Sequence, residues 1–152
     1  MIVAGILSAR SGGRLNVLSG RDEAFTGITT QRPNLVSDDI YGPGKDGSNP
    51  KPGQFIERYL NADAFARPTP GTNGNLTRNL AVGPKFWQVD LALSKLVSMG
   101  TQRMELRIET FNLFSTFNWG DPELRFSRAQ FGRISTQAGA PRILQFGVKY
   151  DF

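Results

Sequence analysis

The chain has 152 residues, a length typical of one domain, and contains no cysteine and no histidine. Those two absences exclude disulfides, thiolate metal ligands, cysteine nucleophiles and every catalytic triad that contains histidine. The net charge is +5, but the basic residues are scattered, as on a solvated surface rather than in a nucleic-acid footprint. The 17 glycines and 9 prolines, together with few long apolar runs, favour short strands and long irregular connections, so we predict an all-β chain.

The N-terminal segment is apolar as far as Arg10 and then breaks at Ser11-Gly12-Gly13. It lacks the basic start and the long apolar stretch of a signal peptide, and we predict a first strand over about residues 1–10. No window of the sequence approaches the roughly 18 to 20 apolar residues of a membrane-spanning helix. Any membrane role must therefore use strands.

Residues 11–85 are the least regular part of the sequence. They include the glycine- and proline-rich segment from Tyr41 to Gly53, and a possible single helical turn at Asn61-Ala66. The run Gly42-Gly47 is not a phosphate-binding loop, because the required glycine spacing and the Ser or Thr after Lys45 are missing. We predict one long external connection here and a second over residues 118–141.

Three later segments alternate between apolar and polar residues, as strands with two different faces do. From Phe86 to Met99 one face is apolar except at Lys95, and within the segment from Arg142 to Phe152 every even position from Leu144 onward is apolar. Between them, a tight turn at Ser98-Thr101 precedes a strand predicted over about 101–117. Met104, Ile108 and Phe111 also fit helical spacing, but their alternation with charged residues is stricter. The charged residues of this group, with one from the last strand, are Arg103, Glu105, Arg107, Glu109 and Lys149.

Acidic residues offer little for catalysis. Glu105 and Glu109 share a strand face, but at about 3.3 Å per residue their Cα atoms lie about 13 Å apart, beyond the usual separation of paired glycosidase carboxylates. Asp38-Asp39, and Asp121 with Glu123, lie in predicted loops with no metal-loop spacing. We expect no enzyme activity and no cofactor, although an acid-dependent carbohydrate enzyme using Glu105, Glu109 or Asp121 is an alternative.

Two architectures explain the alternation equally well: a transmembrane barrel and a β-sandwich with one buried face. Long connections alternate with one very short turn, which is typical of transmembrane barrels with tight periplasmic turns and long external loops. The polar, mixed-charge wall would then face the lumen. Aromatic residues near strand ends, namely Trp87, Trp119, Tyr150 and Phe152, are placed as in aromatic girdles.

Several blocks in sequence order resemble the C-terminal barrel of TonB-dependent outer-membrane receptors, in particular the Oar-like group of large transporters. The blocks are Ser11-Gly12, Val17-Asp22, Gln31-Asn34, Phe65-Gly71, Gly74-Asn79, Gly83-Lys95, Arg107-Phe114, Phe131-Ile134 and Pro141-Phe146. Each block alone is weak evidence for the resemblance, but the set of blocks in this order is specific.

The resemblance implies a location in the bacterial outer membrane and a part in nutrient uptake. Implied partners are outer-membrane lipid and lipopolysaccharide, the rest of the receptor barrel and its plug, the barrel-assembly machinery, the TonB system acting through the plug, and an unidentified external ligand. No nucleic acid is implied. It also implies that the last strand is the assembly signal, carried by alternate apolar residues ending in an aromatic one. These are Leu144, Phe146, Val148, Tyr150 and Phe152.

Family members are several times longer than this chain and have some 22 strands, a number known from large transporters. The sequence predicts an antiparallel meander of about four long strands, over residues 1–10, 86–99, 101–117 and 142–152. Four strands cannot close such a barrel, so we expect residues 1–152 to be a C-terminal fragment in which Met1 is an internal methionine. The alternative is a soluble or surface-exposed β-sandwich binding module whose long loops form the recognition surface.

Overall fold

The computed structural model describes residues 1–45 and 54–152, so part of the glycine- and proline-rich segment from Tyr41 to Gly53 lies outside the described residues. It is an all-β structure, as predicted, with one short 3₁₀ helix at Ala62–Ala64 in the place of the expected helical turn. In the described part of the chain, no helix is long and apolar enough to cross a membrane. The strands, in chain order, are β1 (Ile2–Arg10), β2 (Arg14–Leu15), β3 (Asn34–Leu35), β4 (Phe65–Ala66), β5 (Ala81–Val82), β6 (Phe86–Met99), β7 (Gln102–Phe111), β8 (Asn118–Trp119), β9 (Gln137–Ala138) and β10 (Ile143–Asp151).

The chain divides into two compact units. The sheet unit consists of Met1–Ser11, Lys85–Asn118 and Gln137–Phe152. The loop unit consists of Gly12–Pro84 and Trp119–Thr136. The sheet unit contains all four long strands, which confirms the predicted antiparallel meander.

The four long strands form one antiparallel sheet in the order β1-β6-β7-β10. Its tightest connection joins β6 to β7, where Met99 pairs with Gln102 and only two residues lie between them. Gly100 has a φ of 66°, and two-residue hairpins of the primed type need a positive φ at this first central position. Glycine adopts it without the steric cost that a Cβ brings.

The strand ends opposite this hairpin carry both long connections. Arg10, the last residue of β1, pairs with Phe86, the first of β6, and the chain between them is the long first connection. Phe111 at the end of β7 likewise pairs with Ile143 at the start of β10. Both long connections therefore leave and rejoin the sheet at one end, and the short turn lies at the other.

The loop unit is irregular in its secondary structure, as expected, with strands of only two residues and one short 3₁₀ helix, but the sequence did not predict that it is compact. It has its own hydrophobic core, which includes Leu60 at 1% exposure and Ile134 at 0%. Phe65, Phe126 and Phe131 form an aromatic cluster with centroid distances of 5.2 to 6.3 Å. The apolar residues that form this core are spaced irregularly in sequence, so no helix or strand period reveals them.

Strand β7 ends at Phe111 rather than near residue 117, which corrects the predicted boundary. Asn112 has a φ of 53° and Ser115 has the same value, so the chain turns sharply here. The buried Asn112 side chain donates to the carbonyl oxygens of Thr116 and Ala140 and accepts from the Thr116 amide. The backbone amide of Asn112 donates to Asp90 Oδ1 on β6. The strand stops because asparagine tolerates the left-handed backbone and its amide side chain satisfies the turn.

Replacing Asn112 with alanine should lower the free energy of unfolding by about 2 to 4 kcal/mol, because buried backbone groups lose their partners and alanine tolerates the positive φ poorly. Urea titration of the protein folded in phospholipid vesicles, followed by tryptophan fluorescence, measures this loss. Ser115→Ala is the control: Ser115 has the same φ in the same turn but is exposed, and we expect a change below about 0.5 kcal/mol. Equal losses in the two variants would contradict this role of the Asn112 side chain.

Candidate functional site

The register of the sheet places apolar residues of all four strands on one face. The side chains of directly paired residues point to the same face of the sheet, and so do those of every second residue along each strand. Phe146 pairs with Ile108, Ile108 with Leu93, and Leu93 with Val3, so one apolar row crosses the whole sheet. The apolar face, as we call it, consists of Val3, Leu7, Ala9, Trp87, Val89, Leu91, Leu93, Val97, Met99, Met104, Leu106, Ile108, Leu144, Phe146, Val148 and Tyr150, and Gly5, Lys95, Gln102 and Thr110 interrupt it.

The side chains of the apolar face are exposed or half-buried and do not form a core. Phe146 is 72% exposed, Val148 69% and Leu7 69%. The buried apolar residues that make up the core of the described chain all belong to the loop unit. A sandwich would bury one face of this sheet, so these exposures argue against the β-sandwich interpretation. A contiguous apolar surface of this extent needs an apolar environment.

The opposite face of the sheet is polar and charged at its centre. It presents the predicted residues Arg103, Glu105, Arg107, Glu109 and Lys149, together with Gln88, Asp90 and Asp151. Lys149 pairs across the strands with Glu105, and Asp151 pairs with Arg103, so opposite charges face each other. Arg107 forms an ion pair with Glu109 at 2.7 Å, and Lys149 one with Asp151 at 3.1 Å. The mixed charges thus largely balance one another on this face.

Aromatic side chains mark both ends of the apolar face. Trp87 packs against Phe114 with ring centroids 6.1 Å apart, at the end of the sheet where the long connections attach. Tyr150 and Phe152 stack at 6.2 Å, at the hairpin end. Tyr150 pairs with Met104, and Met104 pairs with Val97, so the three residues lie at the same height along the strands. From Trp87 to Val97 is about 33 Å along the strand, or about 25 Å in height at the usual barrel tilt of about 40°.

Both edges of the sheet are open in the part of the chain that the structure describes. Strand β1 pairs only with β6, and β10 pairs only with β7. Each edge therefore leaves a row of backbone N–H and C=O groups without a strand partner. In an apolar environment such groups must be satisfied by further strands, because water cannot reach them.

The predicted assembly-signal residues lie together at one of these edges. Leu144, Phe146, Val148 and Tyr150 follow one another on the apolar face of β10, and Phe152 comes directly after the strand. All five are exposed, and Phe152 is the most exposed at 99%. Their role in assembly stays a prediction, as does the lumenal position of the charged face.

The acidic residues considered for catalysis do not form a site. Glu105 and Glu109 lie four residues apart on the polar face, and Asp121 belongs to the loop unit. Within residues 1–45 and 54–152, no group of three or more acidic residues is placed to hold a metal ion.

One acidic residue that the sequence did not single out organises part of the loop unit. The Asp22 carboxylate accepts hydrogen bonds from the backbone amides of Thr26 and Gly27 and from the side chains of Gln31 and Thr26. The hydrogen bond from the Thr26 amide, with further contributions from the other donors, lowers the pKa of Asp22 below its usual 3.8. Asp22 therefore stays ionised and fixes the turn from residue 22 to residue 31.

Comparison with known proteins identifies one family. Residues 2–145 match the family model described as "Outer membrane beta barrel domain". No curated protein and no solved structure matches the chain. The family match extends over both the sheet unit and the loop unit.

The two faces of the sheet should respond differently to an added positive charge. Phe146 and Gln145 are neighbours on β10, point to opposite faces and lie near mid-height of the apolar face. Phe146→Arg should lower the free energy of unfolding in phospholipid vesicles by about 2 to 4 kcal/mol, the cost of a cation near the lipid midplane. Gln145→Arg, the matched control, should cost less than about 1 kcal/mol because a polar lumen solvates it. Urea titration measures both, and a larger loss for Gln145→Arg would reverse the assignment of the faces.

Proposed function

The chain belongs to the outer membrane beta barrel domain family and is a protein of the bacterial outer membrane, and from that premise we propose that it forms the C-terminal part of a TonB-dependent receptor for nutrient uptake. In this role the sheet unit supplies barrel wall and the loop unit contributes to the external surface that captures ligand. The wall and the loops act through binding and transport, without catalysing a reaction. The resemblance to the Oar-like group supports this choice among outer-membrane barrels.

The exposed apolar face is the observation that carries the membrane part of the proposal. Its height of about 25 Å between the two aromatic pairs equals the apolar band of outer-membrane barrels. Lys95, the one charged residue on this face, lies near the hairpin end. Its long apolar stem allows the ammonium group to reach the membrane surface from there. Lipid and lipopolysaccharide are thus the proposed partners of this face.

The open edges of β1 and β10 support a larger barrel around this sheet. A closed barrel has no free edge, and small barrels already need eight strands. Four strands therefore call for additional ones, which we propose belong to the same receptor. The balanced charges on the polar face suit a lumen that contains water or a plug, where neighbouring groups pair with them.

The asymmetry between the strand ends supports an external position for the loop unit. Outer-membrane barrels have short turns on the periplasmic side and long loops outside. By that rule the hairpin at Gly100 is periplasmic, and the connections after Arg10 and after Phe111 are external. A connection with its own hydrophobic core holds its side chains in fixed positions, as a ligand-binding surface requires.

The receptor proposal predicts that the protein extracted from outer membranes binds the periplasmic domain of TonB. We expect retention on an immobilised TonB domain, because a TonB-dependent receptor binds TonB through its plug and coupling segment. A porin from the same extract is the control and should not be retained. Failure of the extracted protein to bind the TonB domain would contradict the receptor role and would leave the barrel assignment intact.

Strand β10 is the proposed substrate of the barrel-assembly machinery. It offers an open edge and a regular row of exposed apolar side chains that ends at Phe152. An open edge is suited to recognition by strand addition, in which the partner supplies a neighbouring strand.

Deleting Phe152 should therefore reduce the amount of folded protein in the outer membrane, because the terminal aromatic of the signal is lost. Heat-modifiable mobility of the membrane fraction on gels measures the folded amount. Asp151→Ala changes the neighbouring residue on the polar face and keeps the terminal aromatic, so its level should stay normal. Normal assembly of the deletion variant would count against the terminal signal.

A further inference from the structure

A pocket in the loop unit is lined by arginines and hydroxyl groups. Its volume is about 290 Å³, and its lining residues are Leu18, Gly20, Thr29, Thr30, Arg125, Ser127 and Arg128. The lining comes from two stretches of the chain that are more than 90 residues apart in sequence. No periodicity or motif in the sequence joins these stretches, so the pocket is a product of the fold.

Backbone hydrogen bonds hold the two stretches together. The Leu18 amide donates to the Leu124 carbonyl at 3.0 Å, and the Phe126 amide donates to the Leu18 carbonyl at 2.8 Å. The Ser127 amide donates to the Ser19 carbonyl at 3.0 Å. These bonds join the backbones of the two stretches, so the side chains that line the pocket are held on a hydrogen-bonded framework.

Gly20 is required for this close approach. Its φ is 75°, and a Cβ at this position would lie 2.3 Å from the Ser127 hydroxyl oxygen. Other residues adopt this φ only with strain, and a Cβ here would displace the Ser127 hydroxyl. Gly20 thus leaves room for the Ser127 hydroxyl in the lining of the pocket.

The charge of the pocket comes from Arg125 and Arg128. Glu123 forms an ion pair with Arg128 at 3.5 Å, and it also accepts the backbone amide of Arg125. Arg125 forms no ion pair within the described residues. Of the two guanidinium groups in the lining, that of Arg128 pairs with Glu123, so the Arg125 guanidinium remains available to an anionic ligand.

The lining also includes Thr29 and Thr30, each of which has a hydroxyl group. The turn that leads to them is fixed by the ionised Asp22, which accepts from the Gln31 side chain at 2.8 Å. The Gln31 carbonyl in turn accepts from the Ser19 amide at 2.7 Å. The two threonines are therefore tied from both sides to the framework that carries the arginines.

We propose that this pocket binds the phosphate group of a phosphorylated ligand. Guanidinium groups match phosphate oxygens with paired N–H donors, and hydroxyls of Ser and Thr add donors at other oxygens. The volume exceeds what one phosphate group needs, so an organic part such as a sugar can be accommodated beside it. The phosphate can belong to a soluble phosphate ester or to the phosphorylated headgroup of lipopolysaccharide.

The interpretation of the pocket as a capture site rests on the proposed receptor function, but phosphate binding itself does not. It can be measured on the protein folded in detergent micelles, without TonB and without energised membranes. Loss of TonB binding and loss of phosphate binding are therefore separate outcomes.

Calorimetric titration of the folded protein with inorganic phosphate and with a hexose phosphate tests the proposal. Arg125→Ala and Arg128→Ala should each weaken binding by about tenfold, since each removes charge-assisted hydrogen bonds. Arg67→Ala is the control: it removes an equal charge from an exposed position of the loop unit outside the pocket lining. Arg125→Lys keeps the charge but not the paired donors and should bind less tightly than the wild type. Heat-modifiable mobility verifies that each variant folds.

A second arm uses nanodiscs that contain lipopolysaccharide with or without its phosphate groups. Binding of the soluble phosphates that depends on Arg125 and Arg128 supports a soluble ligand. Binding confined to phosphorylated lipopolysaccharide, with the same dependence, supports the lipid as the source. The proposal is overturned if no phosphate compound binds in either arm, or if Arg67→Ala weakens binding as much as the pocket variants do.

Discussion

The structure depends on the register set by the two-residue turn between β6 and β7. Because Met99 pairs with Gln102, odd-numbered residues of β6 share a face with even-numbered residues of β7. The alternation in the two strands has the matching phase, and β1 and β10 continue it outwards. A slip of one residue would move apolar side chains of one strand among the charges of its neighbour. Gly100 permits the turn whose register aligns the apolar residues of β6 and β7 on one face.

The two units differ in whether their apolar side chains are buried or exposed. The loop unit follows the rule of water-soluble proteins, with side chains such as Leu60 and Ile134 packed inside. The sheet unit exposes one apolar face, which suits contact with lipid, and carries its ion pairs on the other face. The same chain therefore contains a part that needs membrane and a part that packs as it would in water. This division suits a barrel wall with structured external loops.

Polar side chains control the ends of the long strands. At the end of β7 the side-chain amide of Asn112 forms hydrogen bonds with the backbone of the turn. The side chain of Asn118 accepts from the backbone amide of Trp87 and donates to its carbonyl oxygen. In the loop unit, Asp22 has the corresponding role for the turn that leads to Thr29 and Thr30. Each of these side chains forms hydrogen bonds with backbone groups of a turn or of a strand end.

The sequence by itself determined the all-β class, the four long strands and the two faces of the sheet. Successive side chains of a strand point to opposite faces, so a strand with two different environments has an alternating sequence. It placed Leu144, Phe146, Val148 and Tyr150 on one side and Glu105 and Lys149 on the other. Only the tertiary structure decided the end of β7 at Phe111, the core of the loop unit and the pocket with Arg125 and Arg128. These features depend on contacts such as those of Asn112 with Ala140 and of Leu18 with Leu124, which join residues distant in sequence. No local pattern records such contacts, since they form only when the chain is folded.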